Sequence, residues 1–251
     1  MPILNYDRKT LEKLIEQGLV KERQIYNKLD ARKKVSSKAE FYKLHAESGY
    51  IVPSVLDPKK IKDLNFPIVA KPDNAHSGLG IKVFKNEEDL KDADLTEFSS
   101  FSEKITIKEE HRFFMWRGQM IQWTQRKPMD DATADIAKKD PNKETNFSYI
   151  LRNEKISDDI LKVLTYFSEA HSDLDFYAID LAETEDGKIY VFEMNSEPGA
   201  LFGVMTLVYQ KIYEDWYKKP LSKDTISLLK EFRQKDIEEN KKQNSNWTVK
   251  K

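Results

Sequence analysis

An α+β fold built on antiparallel sheets is what this sequence predicts, on three observations. Apolar residues alternate across Phe176–Ala182 and again across Lys188–Met194. Asp186-Gly187 lies between them, a dipeptide favoured in two-residue hairpin turns because glycine tolerates positive φ. The stretch FPIVAKPDNAHSGLGIKVF reads as strand, glycine-rich loop and strand, and charge-rich segments with apolar residues at helical spacing flank these strands.

From the amino terminus, Arg8–Val35 carries Leu11, Leu14, Ile15, Leu19, Ile25 and Leu29 at helical spacing and is expected to form one or two amphipathic helices. Ser37 and Glu40 make an S-x-x-E capping box for a short helix over Lys38–Ser48, which Gly49 stops. Pro53 opens an extended link. The strand from Phe66, the loop DNAHSGLG and the strand IKVF are followed by NEEDLKDADL, a helix with an acidic first turn. Ser102–Ile107 and Arg112–Gln125 read as extended, with Phe113, Phe114, Trp116 and Trp123 as sheet core and rim. Met129–Asn146 reads as a polar loop with a helical piece. Asp158–Ala170 is a helix packing Ile160, Val163, Leu164 and Phe167. Helices are expected over Leu201–Tyr217 and Thr225–Lys242, before a loose ending, NKKQNSNWTVKK.

With 251 residues and 39% hydrophobic content, the chain can bury a substantial core. A net charge of -1 from 42 basic and 43 acidic residues supplies no field that favours nucleic acid or an anionic membrane. The absence of cysteine excludes disulfides, thiolate metal sites and a cysteine nucleophile. MPILNYDRKT lacks the regions of a signal peptide, and the longest nearly apolar run, around Gly199–Tyr209, is too short for a membrane span. A cytoplasmic protein is the expectation. His45, His76, His111 and His171 are not spaced as a metal site.

Chemistry enters with the hairpin. Tyr177–Gly199 holds six carboxylates. Glu183, Glu185 and Asp186 are turn acids. A two-residue turn sets Glu185 opposite Lys188, Thr184 opposite Ile189, Ala182 opposite Val191 and Asp180 opposite Glu193. Like charges facing each other across strands destabilise a sheet. Period 2 adds Asn195 to that face, with Ala178, Ala182 and Val191, and assigns Ile179, Leu181, Tyr190, Phe192 and Met194 to the other. Asp180, Glu193 and the Asn195 amide form an oxygen-donor set suited to a hard cation such as Mg²⁺. DNAHSGLGIK lacks the G-x-x-x-x-G-K-[ST] pattern and no helix follows its glycines; between two antiparallel strands it is either an ordinary loop with glycines for turn geometry or a lid whose backbone N–H groups fold over a triphosphate.

Together these pieces resemble the ATP-grasp superfamily, in particular its carboxylate-amine ligases, over about Val35–Gly203. FPIVAKPDNAHSGLGIKVF resembles the family's lysine strand and lid, FSEKITIKEEHR its adenine hinge, and IDLAETEDGKIYVFEMNSEPG its metal-binding hairpin. The resemblance implies two subdomains gripping ATP between antiparallel sheets. It divides the chain into a reduced helical segment over residues 1–37, an ATP-grasp domain over 38–220 with its lid subdomain at about 50–105, and a C-terminal helix and tail over 221–251. ATP and Mg²⁺ are the implied cofactors. Lys71 and Lys38 match the nucleotide lysines, and Ser77, Gly78 and Gly80 the lid. Glu103, Lys104 and Ile105 match the hinge that reads adenine. Glu110, or Glu109 beside it, matches the acid that holds the ribose. Asp180, Glu193 and Asn195 match the metal ligands. Arg112 and Arg152 match arginines set against substrate or the transferring phosphoryl group, which Lys71 would also serve.

The activity so implied is phosphorylation of a carboxylate by ATP, followed by attack of an amine on the acyl phosphate. Small-molecule or peptide carboxylates and amines are the implied substrates. Family members usually carry a further α/β domain ahead of this region, so a second subunit, a partner protein or a macromolecular acceptor is expected to complete the substrate pocket. An ATP-grasp phosphotransferase and a non-catalytic nucleotide-binding module are the competing readings.

Overall fold

The computed structural model of the chain describes residues 3–4, 13–19, 21, 25–73, 80–128, 147–199, 203–243 and 247–249. The amino-terminal segment departs from the helical expectation. β1 (Ile3–Leu4) pairs in parallel with β2 (Ile25–Tyr26), so Ile25 sits in a strand, and only residues 13–16 are helical before it among the described residues. Asn27, at φ 56°, turns the chain out of β2, and its Nδ2 donates to the Phe176 and Ser196 carbonyls while its Oδ1 accepts from the Asp175 and Phe176 N–H groups. These tertiary hydrogen bonds outweigh local helical periodicity there. α1 (Leu29–Ser36) follows directly.

The capping box forms as expected: Ser37 Oγ accepts from Glu40 N at the start of α2 (Lys38–His45). β3 (Ser54–Val55) and a 3₁₀ turn at Pro58–Asp63 lead into β4 (Ile68–Lys71) and β5 (Lys82–Phe84), the strands on either side of the glycine loop. They are antiparallel, with Val69 opposite Val83. α3 is a single turn at Glu88–Lys91, and β6 (Ser100–Glu103) completes a four-stranded sheet in the order β3-β6-β4-β5. Its core is Ile61, Ile68, Ala70, Phe84, Phe98 and Phe101.

β7 (Ile107–Trp116) and β8 (Gln119–Pro128) form a hairpin across Arg117-Gly118, both at positive φ (44° and 79°), a turn for which Arg-Gly gives only its glycine as a signal. The expected loop Met129–Asn146 lies outside the described residues. β9 (Phe147–Arg152), α4 (Asp158–Ala170), β10 (Phe176–Thr184) and β11 (Ile189–Asn195) follow, then α5 (Val204–Tyr217), α6 (Lys223–Gln243) and β12 (Trp247–Val249). The carboxyl end is thus not all loose: β12 extends the sheet by pairing in parallel with β9. The six-stranded order is β11-β10-β7-β8-β9-β12. Phe113, Trp123, Ile179, Leu181 and Met194 pack on one face with Phe167 of α4, whereas Phe114, Trp116, Phe176 and Ala178 pack on the other with Val204 and Val208 of α5. The fold is α+β, and among the described residues no helix is long and apolar enough to cross a membrane.

Candidate active site

A narrow cleft opens between the two sheets, lined by Val52, Val69, Val83, Phe192 and the segment Ser102–Ile105, with Lys71 at its edge. Apolar walls and a stretch of backbone fit a flat heteroaromatic ring. The Glu103 N–H donates to Pro53 O and the Lys104 N–H to Pro67 O, which fixes this strand end against the sheet, and Glu103 Oε1 accepts from both nitrogens of Asn65.

Lys71 ends β4. Its Nζ donates to Tyr42 Oη at 2.7 Å and lies 5.3 Å and 5.5 Å from the ring centres of Tyr42 and Phe192. The Tyr42 hydroxyl donates in turn to the Phe192 carbonyl, so this tyrosine ties lid strand, α2 and β11 together. Asp73, just beyond the lysine, accepts from Ser37 Oγ and Ala39 N at the start of α2. That contact holds Lys38 over β11, with Nζ 3.8 Å from Glu193 Oε2. Gly80, at φ +74°, lies against Pro72, whose Cγ would be 3.1 Å from an added Cβ. Ser77 and Gly78 lie outside the described residues, as does His76.

Asp180 and Glu193 are direct cross-strand partners, as the sequence predicts, but through two irregularities rather than a two-residue turn. The loop is one residue longer: Thr184 pairs with Lys188, and Gly187 takes φ 80°. Ala182 therefore pairs with Tyr190 and Leu181 with Val191, until a bulge between Asp180 and Leu181 restores the offset. Three assignments of face are corrected by this: Tyr190 joins Ala182 on the face of Asp180. Val191 packs in the core with Ile179 and Leu181, while Phe192 turns into the cleft.

Ala178 pairs with Asn195, which sets the amide on the same face as the two acids. The Asn195 Oδ1 accepts from Glu197 N at 2.8 Å. Arg112 grips Asp180 at both oxygens, Nε to Oδ1 at 2.6 Å and Nη2 to Oδ2 at 2.5 Å. Burial and the nearby Asp180 push the Glu193 carboxyl up, against the opposing pull of Lys38, Arg112 and Lys71. Two carboxylates and an amide oxygen on one face of a strand pair fit a hard divalent ion, since each oxygen retains a lone pair beyond its present partner.

The face of a strand sorts the remaining residues. Glu110 pairs with Ala182 and Arg126, on the face of Asp180 and Arg112, and Arg126 Nη1 donates to Glu110 Oε1 at 2.7 Å. Glu109 is on the opposite face, with Glu183 and His111. Arg152 is there too: it pairs with Trp123, which pairs with the core residue Phe113, and it reaches Glu154 at 2.8 Å with its guanidinium over Trp123. Arg152 therefore does not share the face of Asp180, Glu193 and Asn195, because pleating turns its side chain to the other side of the sheet. Arg126, Tyr42, Asp73 and Phe192 belong to the site and carried no signal in sequence, as each is brought in by pairing or packing between distant segments. The loop after β11 is also braced from afar, by Asn27 on the Ser196 carbonyl and by Arg32, 2% exposed, on the Glu197 carboxylate. Its Glu197 N–H is already committed to Asn195.

A strand ending in Lys71, a cleft between two antiparallel sheets, and a hairpin that sets Asp180 opposite Glu193 are the features that the family comparison has to account for. Residues 14–198 match a family described as an ATP-grasp domain, the third family of its clade, and the chain belongs to that family. A curated D-alanine–D-alanine ligase from a Nitratiruptor species is 26% identical over 189 residues, 67% of this chain and 52% of that protein. The chain thus spans about half the length of this relative. Among solved structures, the ATP-grasp ligase PsnB complexed with a phosphomimetic variant of its minimal precursor, Mg and ADP aligns with TM-score 0.55 and 18% identity, over 75% of this chain and 60% of that one. D-alanine–D-alanine ligase from Bacillus anthracis complexed with ATP aligns with TM-score 0.54 and 16% identity, over 77% and 65%. At these identities the likeness is one of fold.

Proposed function

We propose that the protein is an ATP-dependent ligase that joins a carboxylate to an amine through an acyl phosphate, releasing ADP and phosphate. The observation that carries the reading is the convergence of Lys38, Arg112 and the acids Asp180 and Glu193 next to Phe192 and Lys71, which line the cleft between the sheets. In this reading the hinge Glu103–Ile105 holds adenine. Glu110, on the site face, holds the ribose hydroxyls, and Arg126 orients its carboxylate. Lys71 and Lys38 hold phosphate oxygens, with Tyr42 positioning Lys71.

Mg²⁺, when bound by Asp180, Glu193 and Asn195, supplies charge neutralisation for the phosphates. Arg112 orients Asp180 through both carboxylate oxygens, and its planar fork suits the oxygens of a phosphoryl group in transfer. A substrate carboxylate oxygen attacks the γ-phosphorus and ADP leaves. The amine nitrogen then attacks the acyl carbon, phosphate departs, and the ammonium proton is lost to solvent. The D-alanine–D-alanine ligase relative favours amide formation over phosphotransfer.

The test is a carboxylate substrate labelled with ¹⁸O, chosen by screening amino acids and peptides for pairs that stimulate ADP release. One label is expected in the released phosphate when the amine is present. Unlabelled phosphate, or a stable phosphorylated product, would overturn the ligase reading.

A further inference from the structure

A second pair of carboxylates faces across the same sheet, on its other side. Glu109 of β7 is the direct partner of Glu183 of β10. Like charges so placed are destabilising. At Asp180 and Glu193 the repulsion is relieved by Arg112 and Lys38. At Glu109 and Glu183 the group between them is an imidazole: His111 Nε2 lies 3.5 Å from Glu109 Oε2 and 3.2 Å from Glu183 Oε1. The three ligand atoms all lie within 4.8 Å of one another.

Two further observations point to a ligand. His111 is 2% exposed; its Nε2 meets only the two carboxylates, and its Nδ1 has no hydrogen-bond partner among the described residues. Gln125, opposite His111 on β8 and fully buried, likewise leaves both its amide oxygen and nitrogen unsatisfied. Buried polar groups without partners are costly, and so many in one place call for an explanation.

We propose that Glu109, His111 and Glu183 form a second metal site, for a divalent transition-metal ion, with Zn²⁺ the best match to its donors. Metal–ligand bonds of about 2.0–2.2 Å in tetrahedral arrangement place ligand atoms roughly 3.3–3.6 Å apart, close to the two separations found. Two carboxylates balance the charge of the dication. They are 32% and 28% exposed, which leaves an outer position open to water. The imidazole selects this class over Mg²⁺ or Ca²⁺, which take oxygen donors. Gln125 stands across from the imidazole, where its amide oxygen can take up the outer-shell role of accepting from Nδ1–H. Such an ion would link β7 to β10 behind the nucleotide face. His111 lies between Glu110 and Arg112 in sequence, so the link would hold both side chains at their register. This site does not depend on the ligase reading.

The test titrates Zn²⁺ into the full untagged chain, stripped of metal by chelation, in a calorimeter. One Zn²⁺ per chain is expected, with binding retained in Asp180→Asn, insensitive to excess Mg²⁺, and weakened at least tenfold in both His111→Gln and Glu183→Gln. Glu183→Gln, isosteric and part-exposed, carries the test if His111→Gln does not fold. Absence of saturable Zn²⁺ binding, affinity unchanged in Glu183→Gln, or binding lost in Asp180→Asn instead would each overturn the site.

Discussion

Lys71 shows how a single side chain can be prepared before its ligand arrives. Its ammonium is directed by one hydroxyl and two aromatic rings, with the Glu193 carboxylate near enough to feel its charge. Lys71→Ala is expected to weaken ATP binding by roughly 1.5–3 kcal/mol, the range for hydrogen bonds to charged groups, or roughly 10- to 150-fold. Calorimetric titration with ATP reads this directly, and an unchanged affinity would remove Lys71 from the site. Elsewhere, His45 and His171 meet Nε2 to Nε2 at 2.8 Å in the core, which requires at least one of them to be neutral. Burial lowers both, His45 to about 4 from an ordinary value near 6.5. Unfolding lets these imidazoles take up protons that the folded pair refuses, so stability is full above about pH 6.5 and falls as pH drops toward about 4. Urea midpoints at pH 7.5 and 5 should therefore differ more in the native chain than in His45→Gln. Equal differences would contradict this account.

At the scale of elements, the β10–β11 hairpin is held from its far end by a segment more than 140 residues away. Asn27 is 1% exposed, and its side chain satisfies the N–H groups of Asp175 and Phe176 and the carbonyls of Phe176 and Ser196. Removing it strands these groups at the entry of β10 and the exit of β11. Asn27→Ala is expected to cost on the order of 2–4 kcal/mol by denaturant unfolding, given about 1–3 kcal/mol per unsatisfied buried group. It should also slow turnover beyond what the lost stability explains, because the loop carrying Glu197 loses its brace. A change below about 0.5 kcal/mol would mean that solvent replaces the bonds. The bulge in this hairpin matters as much as its pairs. One inserted position turns Phe192 into the cleft and Val191 into the core while leaving Glu193 opposite Asp180.

On the scale of the whole molecule, the two sheets meet at the cleft, so a ligand that contacts both cross-links them. MgATP at about 100 times its dissociation constant should add about 2.7 kcal/mol, several degrees in Tm for a chain of this size. Glu193→Gln should keep the Tm of the free protein, lose most of this MgATP-induced rise and lose turnover. A full rise in that variant would place the metal elsewhere. The sequence by itself determined the α+β class, the capped helix at Lys38, the lysine strand and its lid partner, and the facing of Asp180 and Glu193. These depend on local periodicity, turn residues and spacing within a few dozen positions, which one chain displays without reference to the rest. Only the tertiary structure decided that Ile25 is a strand residue, that Trp247–Val249 joins the sheet, that Arg152 turns away from the site, and that Tyr42, Asp73, Arg126 and Phe192 turn toward it. Each of these follows from pairing, pleat or packing between segments far apart in sequence, where the deciding energy is in contacts that no local pattern encodes.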